Sequence, residues 1–129
     1  MHSLPGEATV RVLAMPKDTN GLGDIFGGWL MSQVDVAGAV HAMRRAAGRV
    51  VTVAVNEFVF LQAVYVGDVV SCYTEVSRVG RTSLTVNVDV YSERQSGAES
   101  VHVATARITY VAIDDERRPR PVPAMDSGS

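Results

Sequence analysis

Cysteine is nearly missing from this chain: Cys72 is the only one, so no disulfide can close within it. A reducing cytoplasm is the compartment that fits. Long apolar runs are missing as well. No stretch is uninterrupted enough to span a bilayer, and Met1-His2-Ser3-Leu4-Pro5 opens without the apolar segment of a signal peptide. No membrane partner is expected. The formal net charge of −2 lacks the basic excess that a nucleic-acid binder needs. The three histidines, His2, His41 and His102, have no metal-like spacing to one another or to Cys72, so no metal is expected. There is no Gly-x-Ser-x-Gly elbow for a serine nucleophile and no internal repeat.

What remains is an ordinary composition for one globular domain. The 129 residues are 47% hydrophobic and 20% charged, enough chain for one core. Residues 8–15 alternate loosely and read as a first strand, closed by the turn formers Pro16 to Gly21. Residues 27–47 carry Leu30, Val34, Ala37, Gly38 and His41 at helical spacing. The opposite side, with Met31, Val36, Ala39 and Val40, is apolar too, so the pattern predicts a helix enclosed by a sheet. Gly48 is the expected stop, with Arg44 and Arg45 placed against the negative end of the helix dipole.

Four strands are expected after the helix. Residues 50–61 place Val51, Val53, Val55, Val59 and Leu61 on one face and Ala54, Phe58 and Phe60 on the other. Such a strand is covered on both sides or used in an interface. Residues 69–77 follow Gly67-Asp68, and Val79-Gly80 turns into residues 82–93, which alternate cleanly from Leu84 to Val90. Gln95-Ser96-Gly97-Ala98 turns into a fifth strand at 100–113. Short turns leave no room for crossover helices, so the reading is α+β, one long helix on a five-stranded antiparallel sheet. The domain is expected over 1–113, with a loose charged, proline-rich tail at 114–129.

The conspicuous motif is Asn20-Gly21-Leu22-Gly23-Asp24-Ile25-Phe26-Gly27-Gly28-Trp29. As a dinucleotide loop its glycine spacing is off by one, and Asp24 would repel a pyrophosphate. Asp24 reads either as the N-cap of the helix or as a reactive carboxylate beside bare amides at Gly27 and Gly28. His41 and Asp35 read as partly buried, solvated or interface residues. Arg78 and Arg81, with Thr82 and Ser83, are hairpin residues that are either solvated or able to grip an anion.

The residues from Asn20 through Asp35, with Gly48 to Val55, Val66 to Val70 and Val79-Gly80-Arg81-Thr82-Ser83, resemble the hotdog-fold acyl-CoA thioesterases of the YciA-like type. The matching stretches run in order from about Met15 to Ile113. The resemblance implies a helix wrapped by an antiparallel sheet, and an obligate homodimer that often assembles as a trimer of dimers. It implies hydrolysis of acyl-CoA at the subunit interface, with no cofactor beyond the coenzyme A of the substrate. Carried over by position, Asp24 is the catalytic carboxylate, as general base or as nucleophile, and the amides near Gly27 and Gly28 form the oxyanion hole. Asn20, Val51 and Thr52 would line the site; Gly80, Arg81, Thr82 and Ser83, with Arg49, would follow the coenzyme A arm. The alternative is a non-catalytic acyl-CoA-binding module on the same fold. A hotdog dehydratase ranks below both, because His41 lies far along the helix.

Overall fold

The structure is a computed structural model that describes residues 7–94, 97 and 99–124. His2, the start of the domain at 1–6, the turn residues Gln95, Ser96 and Ala98, and the end of the tail at 125–129 lie outside the described residues. The elements run β1 (Val10–Leu13), a 3-10 turn (Pro16–Asp18), α1 (Gly27–Ala46), β2 (Val50–Phe60), β3 (Val69–Val79), β4 (Ser83–Glu93) and β5 (Ser100–Ala112). Every strand pairing is antiparallel, in the order β1-β3-β4-β5-β2. The expected α+β layout of one long helix on a five-stranded sheet is what forms.

Alternation decides which face of the sheet meets the helix. In β4 the odd and even positions divide as anticipated, with Leu84, Val86, Val88 and Val90 at 1% exposure or less. Together with Val70, Cys72, Ala104, Ala106 and Ile108, they pack under Leu30, Val34 and Ala37 of α1. The helix, however, is enclosed on one side only. Met31, Val36 and Met43 stay between 39% and 51% exposed, because five strands from one chain cover a single flank.

Strand β2 departs from its expected simple alternation. Register shifts between Thr52 and Ala54, and between Val55 and Glu57, break the two-residue period, so its faces are not the two sets read from spacing. Of the two options for this strand, coverage on both sides is not met within one chain. It is a sheet edge, with Val53, Val55, Val59 and Phe60 between 40% and 53% exposed.

Two end signals also resolve differently. The N-cap of α1 is Phe26, with no side-chain cap, and Asp24 instead lies in an isolated bridge with Tyr65. At the other end the left-handed residue is Ala47 (φ 56°), not Gly48. Gly48 lacks a Cβ for another reason: one would overlap the Arg120 guanidinium, whose Nη2 donates to the Ala46 carbonyl at 2.8 Å. Arg120 thereby occupies an orphan carbonyl of the last helical turn. The tail is accordingly not loose over residues 114–124. Arg120 N–H donates to Ala112 O, Val122 N–H to Arg81 O, and Ile113 bridges Pro119.

Candidate active site

The loop from Asn20 to Phe26 is held by backbone bonds to its neighbours. Asn20 N–H donates to Asp24 O, Ile25 N–H to Val64 O, and Phe26 N–H to Asp18 O. The Asn20 side chain accepts from Leu22 N–H, and Gly21 and Gly23 take the positive φ that the tight return requires. Asn20, Asp24, Ile25 and Gly27 form one wall of a cleft of about 360 Å³, and Phe60 to Val64 form the other. Among the described residues no donor reaches the Asp24 carboxylate, and no acceptor takes the amides of Gly27 and Gly28. Gly28 faces open space, whereas a Cβ on Gly27 would press on the Phe60 ring at 3.2 Å. The bare helix start anticipated from the two glycines is present, beside Asp24 although not capped by it.

A second carboxylate is placed quite differently. Asp35 lies eight residues beyond Gly27, ~12 Å further along the axis of α1. Thr52 and Tyr110 are directly paired across β2 and β5, and both reach it. Thr52 Oγ1 donates to Asp35 Oδ1 at 2.7 Å. The Tyr110 hydroxyl lies 2.9 Å from the Asp35 carbonyl oxygen and 3.2 Å from Oδ1. Burial first, then the Asp35 charge and hydrogen bond, push the Tyr110 phenol well above its ordinary pKa, so it remains a donor. Gly38 makes the approach possible, since a Cβ there would overlap the Tyr110 hydroxyl. Asp35 is thus tied into a side-chain network rather than simply solvated.

The remaining expected residues lie apart from the cleft. Gly80 N–H donates to Ser83 O in the β3–β4 turn, Ala112 N–H to Thr82 O, and Ile113 N–H to Arg49 O. Arg49, Gly80, Arg81, Thr82 and Ser83 therefore gather around the Val50 end of β2, with Val51 and Thr52, while the cleft is at its Phe60 end. Within one chain the two groups do not meet. His41 takes the bland option: its Nδ1 is 2.8 Å from Thr74 Oγ1, in a contact between helix and sheet. Among the described residues no group of three or more His, Cys, Asp or Glu side chains converges as metal ligands would.

Nothing in the sequence pattern singles out Tyr110, and Asp35 reads there as a solvated or interface residue. One indirect signal points to them. A glycine in a helix interior costs about 1 kcal/mol relative to alanine, so Gly38 needed a packing reason.

Comparison with known proteins is decisive on family. The sequence model of the thioesterase superfamily matches residues 22–99. The chain belongs to the thioesterase superfamily. Its helix and sheet are the hotdog fold of that superfamily. This thioesterase-superfamily chain is 47% identical to the acyl-CoA thioester hydrolase YciA of Salmonella typhimurium, over 93% of its own length and 92% of the relative's. The hexameric thioesterase of Yersinia pestis matches with a TM-score of 0.89 at 50% identity, covering 95% of this chain and 100% of that one. An acyl-CoA hydrolase of Staphylococcus aureus, in complex with coenzyme A as an asparagine-to-alanine variant, matches with a TM-score of 0.84 at 31% identity, covering 89% and 69%. A threonine-to-alanine variant of that hydrolase matches with a TM-score of 0.81 at 32% identity, covering 88% and 70%. The two altered positions are 32 apart in that chain.

Proposed function

We propose that the chain hydrolyses acyl-CoA thioesters to a carboxylic acid and coenzyme A, and that Asp35 is the carboxylate that acts. The observation that carries the assignment is the pair of hydroxyls, from Thr52 and Tyr110, converging on Asp35 Oδ1. They fix one carboxylate oxygen in direction and leave the other for a water or a carbonyl carbon. The spacing of the altered residues in the Staphylococcus aureus hydrolase supports the same site, because Asn20 and Thr52 are also 32 apart.

A thiolate leaves readily, so the step needs no strong general acid. Asp35 either takes a proton from water as that water attacks the thioester carbon, or attacks the carbon itself to form an anhydride that water then opens. In both routes the carbonyl oxygen gains charge, and the unpaired amides of Gly27 and Gly28 are suited to receive it.

Asp35 and those amides are separated along the helix, and a second protomer brings them together. An antiparallel pairing of β2 with its copy places the Val50 end of one strand beside the Phe60 end of the other. Asp35, Val51 and Thr52 of one protomer then face the cleft of Asn20, Asp24 and Gly27 on its partner, with the Gly28 amide beside it. The turn of Gly80, Arg81, Thr82 and Ser83, with Arg49, lies on the Val50 side, where it can follow the coenzyme A arm. The exposed apolar edge of β2 and the uncovered flank of α1 support this dimer. The hexameric Yersinia pestis thioesterase supports its assembly as three dimers. No helix is long and apolar enough to cross a membrane among the described residues, and residence in the cytoplasm goes with this reading.

One observation favours a second reading of the site, with Asp24 as the reactive group: it shares the cleft wall with Gly27. Thiol release from an acyl-CoA panel by the wild type, Asp24→Asn and Asp35→Asn separates the two. Loss of turnover in Asp35→Asn with Asp24→Asn still active supports the assignment, and the reverse pattern transfers the role to Asp24. Tight acyl-CoA binding without turnover by the wild type would leave only a binding module.

A further inference from the structure

Asp68 is a carboxylate only 2% exposed, and the chemistry above does not use it. Its Oδ2 is a hub. Tyr65 N–H donates to it at 2.9 Å, Ser92 Oγ at 2.9 Å and Arg94 Nη1 at 2.5 Å. The same Arg94 nitrogen reaches the Ala63 carbonyl at 3.3 Å, and the guanidinium carbon lies 4.9 Å from the centre of the Tyr65 ring. A buried carboxylate is tolerated because its charge and lone pairs are met in this way.

What the hub holds is the segment between β2 and β3. Ala63 and Tyr65 are both tied to Arg94, an anchor at the end of β4. The segment supplies Leu61, Gln62, Ala63 and Val64, one wall of the cleft. Its outer side pairs with the opposite wall, through Ile25 N–H to Val64 O and the Asp24–Tyr65 bridge. Leu61 and Gln62 N–H donate to Val103 O where the segment leaves β2, and Gly67 N–H donates to Ala14 O at its far end; among the described residues no strand ladder runs between these ties. Between those backbone ties, the offset of Ala63, Val64 and Tyr65 from the Asn20–Gly27 wall depends on the Arg94–Asp68 anchor on one side and the pairing with Asp24 and Ile25 on the other.

We propose that this cleft takes the acyl group, since the thioester carbonyl is assigned to amides at its Gly27 wall, and that Arg94 and Asp68 are positioning residues that set its shape by holding the 61–65 wall against the Asn20–Gly27 wall. The inference rests on the thioesterase reading for its substrate. Neither residue touches the reacting atoms; both act through Ala63, Val64 and Tyr65. Their removal therefore alters which acyl groups fit more than it alters chemistry on a group that still fits.

The test compares the wild type, Arg94→Met and Arg94→Lys on butyryl-CoA and decanoyl-CoA. The ratio of kcat/KM for the two substrates is independent of how much protein is folded, so a purely structural role leaves it unmoved. The expected result is a shift of about fivefold or more in that ratio for Arg94→Met, through KM, with Arg94→Lys returned to within about twofold of wild type. A ratio within about twofold of wild type in Arg94→Met overturns the proposal. Hydrogen exchange on the same proteins without substrate supplies the second arm: Arg94→Met should speed amide exchange in residues 61–67 and leave β4 protected. If the wild type releases no thiol from any acyl-CoA, the thioesterase reading fails and the exchange arm decides. Faster exchange confined to 61–67 then supports the positioning of the wall, and unchanged exchange overturns it.

Discussion

Two aspartates near the same helix show how differently one residue type is used. Asp24 belongs to a loop held by backbone bonds, its own carbonyl accepting from Asn20 N–H and its backbone bridging Tyr65, while no donor among the described residues reaches its carboxylate. Asp35 belongs to a regular helix, and its carboxylate receives two hydroxyls from the facing sheet. The loop is conspicuous in sequence because of its glycines, and those glycines serve the return of the chain and the helix start. The seam around Asp35 has one glycine, Gly38, whose purpose appears only when Tyr110 is seen against it. A carboxylate becomes chemically useful when its orientation is fixed. By that measure the two regions are not equivalent.

The largest effect expected is on turnover in Asp35→Asn, a fall in kcat of about 100-fold or more, against less than about tenfold in Asp24→Asn. Steady-state thiol release measures both, and equal losses would erase the contrast. Gly38→Ala should cost about 1–3 kcal/mol of stability by pushing Tyr110 away from Asp35, seen as a lower midpoint in urea unfolding. Gly28→Ala, whose Cβ would meet open space, should cost less. Thr52→Ala should lower kcat by about tenfold, with Thr52→Ser recovering most of it, because the hydroxyl rather than the methyl points at Asp35. Equal kcat for Thr52→Ala and wild type would remove the orienting role.

The smallest effect expected is a pH dependence that bears on neither aspartate and so serves as a control. Burial pushes the Cys72 thiol from its ordinary 9.0 up to about 12. Between those values the unfolded chain has released a proton that the fold retains, so stability falls as pH rises through that window. Below about pH 9 the thiol is protonated in both states, and its contribution is constant. Cys72→Ala should flatten part of the alkaline slope in urea midpoints measured across pH 8 to 12, without altering the ranking of Asp24→Asn and Asp35→Asn. An unchanged slope would show that other groups account for the alkaline loss.

Much of the fold was legible in the residues because it depends on local period. The alternation of β4 is read directly as inside and outside, and the 3.6-residue pattern of α1 places Leu30, Val34 and Ala37 on the sheet. The strand ends fell within a few residues of their expected positions. Tertiary contacts overrode local signals where the two competed. Gly48 looked like a left-handed stop, yet Ala47 takes that conformation and Gly48 makes room for Arg120, far away in sequence. The tail looked loose from its charge and prolines. Residues 114–124 are nevertheless tied down, because backbone bonds to Ala112 and Arg81 and the capping of Ala46 favour the docked chain.

By itself the sequence determined the family and the α+β architecture, because those follow from motif order and hydrophobic period. Only the tertiary structure decided how the carboxylates are equipped. Thr52 and Tyr110 are 17 and 75 residues from Asp35, and they converge on it only when β2 and β5 pair beneath α1. Linear spacing carries no trace of such convergence, since it is created by strand register across the sheet.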